Sequence, residues 1–204
     1  MMNLKNKSEK VNIIGLHYLS GVLTEIELEE IKIRLAEVDI TLVLNDRSGL
    51  FYNSIEELTN VFSVVLSGIT LTNLISGIIP NVAWDCVKGS ITQIYKKVNG
   101  KKYNKINSNG IEERTISIGV EAKLETKEFN FRFDNISSEQ TFLSALDRIL
   151  VFLNEQKEEK LENILVTKEY VVTYSEDKEI WIEKDFDVII DEKIEKQKMR
   201  DSDS

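Results

Sequence analysis

From Leu58 to Trp84 the chain carries no charged residue, twenty-seven consecutive positions in a protein where 30% of residues are charged. Such a run must be covered by protein or by lipid, so it limits the folds open to the chain more than any other feature. The window Val61–Ile79 has a mean hydropathy of about 1.9, in the range of a membrane-spanning helix. Against a span stand Asn60, Asn73 and Asn81, which are costly in hydrocarbon, and Gly68, Gly77 and Pro80, which weaken or break a helix.

Placed on a helix, Thr59, Asn60, Ser63, Ser67, Thr70, Asn73, Gly77 and Asn81 fall within about 80° of one direction. A stripe facing water usually recruits Glu and Lys, so a small uncharged stripe points to close packing. The expected element is one long, largely apolar central helix from about Ile55 to Ile79, opened by a capping-box pattern at Ser54 and Glu57. Ser63, Ser67, Thr70, Asn73 and Gly77 would form its packing stripe. The helix could be core, membrane-inserting or a partner-binding surface.

The stretch that follows, Cys86–Ile111, has no acid and six lysines: Lys88, Lys96, Lys97, Lys101, Lys102 and Lys105. The net charge of −9 is therefore −15 over the rest of the chain, with a local basic excess. These lysines are the candidate contacts for an acidic partner or an anionic lipid surface. A nucleic-acid role is disfavoured, because no arginine accompanies Lys101-Lys102-Tyr103-Asn104-Lys105. The alternative is a solvated helix end, with Lys96 and Lys97 on the C-terminal dipole.

Elsewhere the patterns are ordinary. A helix is expected where Ala83, Val87, Ile91, Ile94 and Val98 recur at helical spacing, stopped by Gly100. Ile116, Ile118, Val120, Ala122 and Leu124 alternate with polar residues, then Phe129, Phe131 and Phe133 do the same, which predicts a hairpin. Ser137 and Gln140 predict the start of a helix whose Phe142, Leu146, Ile149 and Leu153 would cover that hairpin. Ile164–Tyr174 and Glu179–Ile190 read as two further strands. In Thr24–Leu44, Thr24 and Glu27 suit a capping box, but Ile31, Ile33 and Leu35 alternate with Lys32 and Arg34. Two strands, the first bulged at Glu29-Glu30, are preferred; a helix followed by one strand is the alternative. Asn45–Gly49 reads as a turn or loop.

The expected class is thus α+β: antiparallel hairpins packed against amphipathic helices around the central apolar helix. The expected organisation is a disordered N-terminus over 1–10, a main domain over 11–158, a β-hairpin unit over 159–190 and a disordered charged tail over 191–204.

Little catalytic chemistry is visible. One Cys and one His exclude a disulfide framework and a Cys/His zinc site within one chain. His17, between Leu16 and Tyr18, reads as structural, and Cys86 as a small buried hydrophobe. Glu121-Ala122-Lys123 has the spacing of the Glu-x-Lys pair of metal-dependent nucleases, and Asp185 and Asp187 offer two carboxylates on one strand face. Both pairs also fit solvated strand faces, so no metal or cofactor is expected. The expected function is non-enzymatic: an interaction or regulatory protein of bacterial type, working through the uncharged helix and the lysine cluster on a protein partner or a second copy. A membrane-associating effector and a carboxylate-metal nuclease are the alternatives. The expected location is cytoplasmic, with association at the membrane surface left open.

Overall fold

A computed structural model describes residues 11–49, 60–107, 110–134, 136–157 and 167–202. The chain starts with β1 (Asn12–Tyr18) and then α1 (Glu25–Ala36). Glu27 N donates to Thr24 Oγ1 at 3.2 Å, and Thr24 N donates to Glu27 Oε2 at 2.9 Å, a complete capping box. Leu28, Ile31 and Leu35 are buried while Ile33 is 56% exposed. The apparent alternation is therefore resolved as a helix, and the two-strand expectation for Thr24–Leu44 is corrected. The Ile31 and Leu35 side chains meet the core one turn apart, and two satisfied N-terminal donors favour the helix over a bulged strand.

β2 (Ile40–Asp46) follows, and then, after residues 50–59, β3 (Phe62–Ser67), α2 (Gly68–Ile75) and α3 (Asn81–Val98). The long central helix does not exist. Its expected course is a strand, a turn at Gly68 with φ of 56°, a two-turn helix, and a break at Gly77 (φ 66°) and Pro80. The physical reason lies in the spacing of the stripe. Four residues apart is nearly in register for a helix and fully in register for a strand, so Ser63 and Ser67 share a face either way. Adjacent Val64 and Val65 tip the choice toward strand. The capping pattern at Ser54 and Glu57 lies outside the described residues. Among those residues, no helix is long and apolar enough to cross a membrane.

The expected C-terminal stop is found: Gly100 takes φ of 74° just past α3. β4 (Lys102–Asn107) and β5 (Gly110–Thr115) form a separate antiparallel pair. β6 (Ile118–Lys123) and β7 (Lys127–Arg132) form the expected hairpin, and α4 (Glu139–Lys157) buries Phe142, Leu146, Ile149 and Leu153 completely. Its first turn is capped by Ser138, whose Oγ accepts from Thr141 N at 3.1 Å, so the cap falls one residue after Ser137. β8 (Lys168–Ser175) and β9 (Ile180–Asp185) complete the strands, and α5 (Phe186–Ser202) ends the described chain. The strand expected over Glu179–Ile190 therefore stops at Asp185, whose carboxylate accepts from Asp187 N at 3.0 Å at the start of α5. Residues 191–202, expected as tail, are helical.

The main sheet has seven strands in the order β2-β1-β3-β6-β7-β8-β9. It is mixed: β1–β2, β3–β6 and β7–β8 are parallel pairs, and the other neighbours are antiparallel. The α+β class stands, but hairpins around a central helix are replaced by one large mixed sheet. One residue row crosses it as Ile14, Leu66, Ala122, Phe129 and Tyr170. These side chains face α1, α2, α3 and α4 and make one hydrophobic core with helix residues such as Ile31, Leu71, Ile91 and Leu146. Rings of Phe129, Phe131, Phe133, Phe142, Phe152 and Trp181 interlock edge-to-face or tilted between β7, β9 and α4. Among the described helices only α5 packs on the opposite side, against β8 and β9, where it accounts for the burial of Val171.

Candidate functional site

The helix-free side of β1, β3, β6 and β7 is where polar residues are assembled. By register, His17 lies beside Ser63, Ser63 beside Gly119, and Gly119 beside Arg132; in the next row Gly15, Val65, Glu121 and Asn130 follow one another. Ser63 is 1% exposed, and its Oγ donates to Glu121 Oε1 at 2.5 Å. His17 Nδ1 stands 3.1 Å from Ser63 Oγ and 3.6 Å from Glu121 Oε2. Arg47, from the loop after β2, lays Nη2 against His17 Nδ1, comes within 3.8 Å of Glu121 Oε1, and donates through Nη1 to the Asn60 carbonyl at 3.3 Å. Its backbone N–H is anchored on the Tyr18 carbonyl at 2.8 Å.

Asn60 closes the cluster from the far side. Its Nδ2 donates to Asn130 Oδ1 at 2.5 Å and to the Phe131 carbonyl at 3.1 Å, so its side chain crosses directly over Gly119. A Cβ at position 119 would sit well inside van der Waals distance of Asn60 Nδ2 and the Phe131 carbonyl oxygen. Gly119 is thus required by a close approach, not by its backbone angles.

The electrostatics of the cluster centre on Glu121. Burial raises its pKa, but hydrogen bonds from His17 and Ser63, with the charges of His17 and Arg47, outweigh burial and hold the carboxyl below its ordinary range. A catalytic serine needs its proton drawn off by a base and its oxygen open to substrate. Here the Ser63 proton is held by the Glu121 carboxylate, but Ser63 is 1% exposed, so its oxygen is covered by the sheet's own side chains. The loop that carries Arg47 is braced likewise: Asp46 accepts from Ser20 and Ser48, which holds its pKa at about 2.

Next to the cluster is a groove of about 340 Å³, with Val65 and Phe186 on its apolar side and Arg47, Lys123, Glu121, Glu128 and Glu169 on its polar side. Glu128 and Glu169 are register partners on the parallel pair β7–β8 and point to the same side. Like charges placed so destabilise a sheet unless a cation meets them. Lys123 reaches Glu128. Of the nuclease-like pair, Glu121 and Lys123 do share this face, but each is already engaged within the sheet. Asp185 and Asp187 do not share a strand face, since Asp187 lies in α5. Among the described residues, no three of His, Cys, Asp and Glu gather as a metal-binding set.

The expected contact residues are dispersed. Ser63 belongs to the cluster above, Ser67 precedes α2, Thr70 Oγ1 accepts from Ile13 N at 2.7 Å, Asn73 donates to Asn12 Oδ1 at 3.2 Å, and Gly77 ends the turn after α2. Three of them thus tie α2 and β3 to neighbouring strands. Of the lysines, Lys88 lies between Asp85 (3.1 Å) and Asp147. Burial lowers its pKa, but those two carboxylates prevail and the pKa is raised. Lys96 meets Glu139 at 2.7 Å, Lys97 meets Glu27 at 2.5 Å, and Lys102 meets Glu113 at 2.5 Å. Lys105 is opposite Glu112 in the β4–β5 register, and Lys101 is exposed just before β4. The window without acids in sequence is supplied with acids in space. Glu27 is one of these acids, its pKa lowered to about 2 chiefly by the hydrogen bond with Lys97 and then by those with Thr24.

Sequence patterns singled out Ser63, Glu121, His17 and, in the uncharged stripe, Asn60, each separately, but gave Arg47 no role beyond a turn. The available signal was Gly119, a strand glycine between the β-branched Ile118 and Val120, which marks a close approach. Compared with protein-family models, with curated proteins and with solved structures, the chain matches none of them.

Proposed function

We propose that this chain is a non-enzymatic interaction protein that takes a basic segment of a protein partner on the helix-free side of its sheet. The observation that carries this reading is the pair Glu128 and Glu169, side by side across β7–β8 at the rim of an open groove. Lys123 already meets Glu128, so a lysine or arginine entering there would pair with Glu169, while its aliphatic stem lies along Val65 and Phe186. The fixed Arg47–His17–Glu121 cluster would set the orientation of the incoming chain, and the net charge of −9 would steer it. The contact surface therefore moves from the lysine-rich stretch, whose charges are largely engaged, to the opposite side of the molecule.

The test is fluorescence anisotropy of labelled oligolysine and oligoglutamate peptides with the intact chain at several ionic strengths. Oligolysine should bind, and the double substitution Glu128→Gln with Glu169→Gln should weaken it at least tenfold. The pair Glu37→Gln and Asp177→Asn changes net charge equally at exposed sites elsewhere and should leave affinity within about twofold. Equal loss in both double variants would reduce the interaction to net charge and overturn the assignment.

A further inference from the structure

A second surface is carried by a different observation, at the far edge of the sheet. β2 has one neighbour, β1, so one line of its backbone N–H and C=O groups has no strand partner among the described residues. Edge strands in monomers are normally blunted by lysine, proline, a bulge or a covering helix. The opposite edge is blunted by charge within the strand: β9 carries Glu183, Lys184 and Asp185. β2, on which α1 packs from one face, carries one charge, Asp46 at the last position. Its residues Ile40 to Asn45 include no charge, no proline and no glycine, and pair with β1 in unbroken register.

Exposed aliphatic side chains collect on both sides of this edge. On the helix-free side are Val43 (48% exposed), Ile13 (46%) and Val11 (53%), with Ile13 level with Thr41 in the sheet. On the helix side Ile33 is 56% exposed on α1, and a groove of about 620 Å³ runs between Lys32 and Ala36 of α1 and Ile40 and Leu42 of β2. An added strand would meet a hydrogen-bonding edge flanked by apolar groups above and below, the arrangement that β-augmentation uses.

We propose that the occupant is β2 of a second copy, paired antiparallel about a two-fold axis near Leu42. The pairing is self-complementary. It sets Thr41 opposite the partner copy's Val43 and Ile40 opposite its Leu44, so no charge is brought against another within the strand pair. It also keeps all core-side residues on one side, so that the two α1 helices lie along one another over a sheet continuous through both copies. From Ile40 to Asn45 the strand itself gives a charged partner nothing to recognise, the nearest charges being Lys32, Asp39 and Asp46 around it. Among the strands described here, β2 alone combines a free edge with an uncharged run, so its own copy is the strand that fits. Two chains each carrying −9 repel, so the association gains from salt, the reverse of what a basic partner on the groove would show. The pairing is independent of the groove at Glu128 and Glu169, and either can fail without the other.

The test is sedimentation velocity of the full chain over a wide concentration range, at low and moderate salt. The wild type should pass from monomer to dimer, with dissociation weakened at the higher salt. Thr41→Lys with Val43→Lys places lysines opposite one another at the axis and should raise the dissociation constant at least tenfold. Both positions are exposed, so the variant should retain its circular dichroism and melting temperature, which are measured alongside. Ile180→Lys with Ile182→Lys makes the same charge change on exposed residues of the other edge strand and should leave the dimer intact. A monomer at every concentration, or a dimer that both double variants affect alike, overturns the proposal.

Discussion

The two sides of the sheet are built from the same strands and follow opposite rules. On the covered side, Ile14, Leu66, Ala122 and Phe129 stand in one row against four helices, and specificity comes from shape. On the other side, Gly15, Val65, Glu121 and Asn130 stand one residue away along each strand, and order comes from hydrogen bonds made by Arg47, Ser63 and Asn60. The covered side tolerates loss of a polar contact but not of volume. The open side depends on a few polar contacts whose geometry leaves no space for even a methyl group at Gly119.

The largest effect should come from emptying the covered side. Phe131→Ala removes a fully buried ring that meets Phe152 and Trp181, and should cost about 3–5 kcal/mol in chemical denaturation. Gly119→Ala tests whether the open side is as tightly determined, because the new Cβ must displace Asn60 and the Phe131 carbonyl. A loss of about 3 kcal/mol is expected; a loss near zero would show that the side is loosely held.

A smaller effect concerns charge. Glu121 has a folded pKa below the ordinary 4.5, so its contribution to stability is present above that value and is lost as pH falls through the folded one. The difference in melting temperature between wild type and Glu121→Gln should be widest near neutral pH and close progressively below pH 4.5. A gap that is constant with pH would show that the carboxylate charge is not what the cluster stabilises. The smallest effect belongs to the helix surface: Lys96→Gln breaks an exposed pair with Glu139 and should change stability by less than about 0.5 kcal/mol.

The same contrast explains which elements could be anticipated. Phe129, Phe131 and Phe133 alternate strictly, and Phe142, Leu146, Ile149 and Leu153 keep helical spacing, so the hairpin and its covering helix follow from local pattern alone. β3 could not be separated from a helix, because the spacing of Ser63 and Ser67 serves both periods and its flanks are equally apolar. The parallel pairings of β3 with β6 and β7 with β8 have no local signature at all. The polar cluster depends on the first of them: His17, Arg47, Ser63 and Glu121 come from four separate stretches and meet only when the mixed sheet closes. Likewise the lysines read as a cluster because the acids that meet them, Glu27, Glu139 and Asp147, lie far off in sequence.

The β3–β6 pairing also governs how the chain reaches this state. Val64 and Val120 are neighbours in space, yet α2, α3, β4 and β5 lie between them in the chain. Closing so long a loop costs entropy before any strand contact offsets it, and parallel pairing admits no hairpin shortcut. The β6–β7 hairpin with α4 is local and apolar, and is the part of the molecule equipped to form early. Whichever unit forms first, β1, β2 and β3 meet the rest of the sheet only by pairing β3 along the β6 edge. Until then β6 presents an unprotected apolar edge, so the interval before β3 docks is when the nascent protein is most exposed to wrong strand partners.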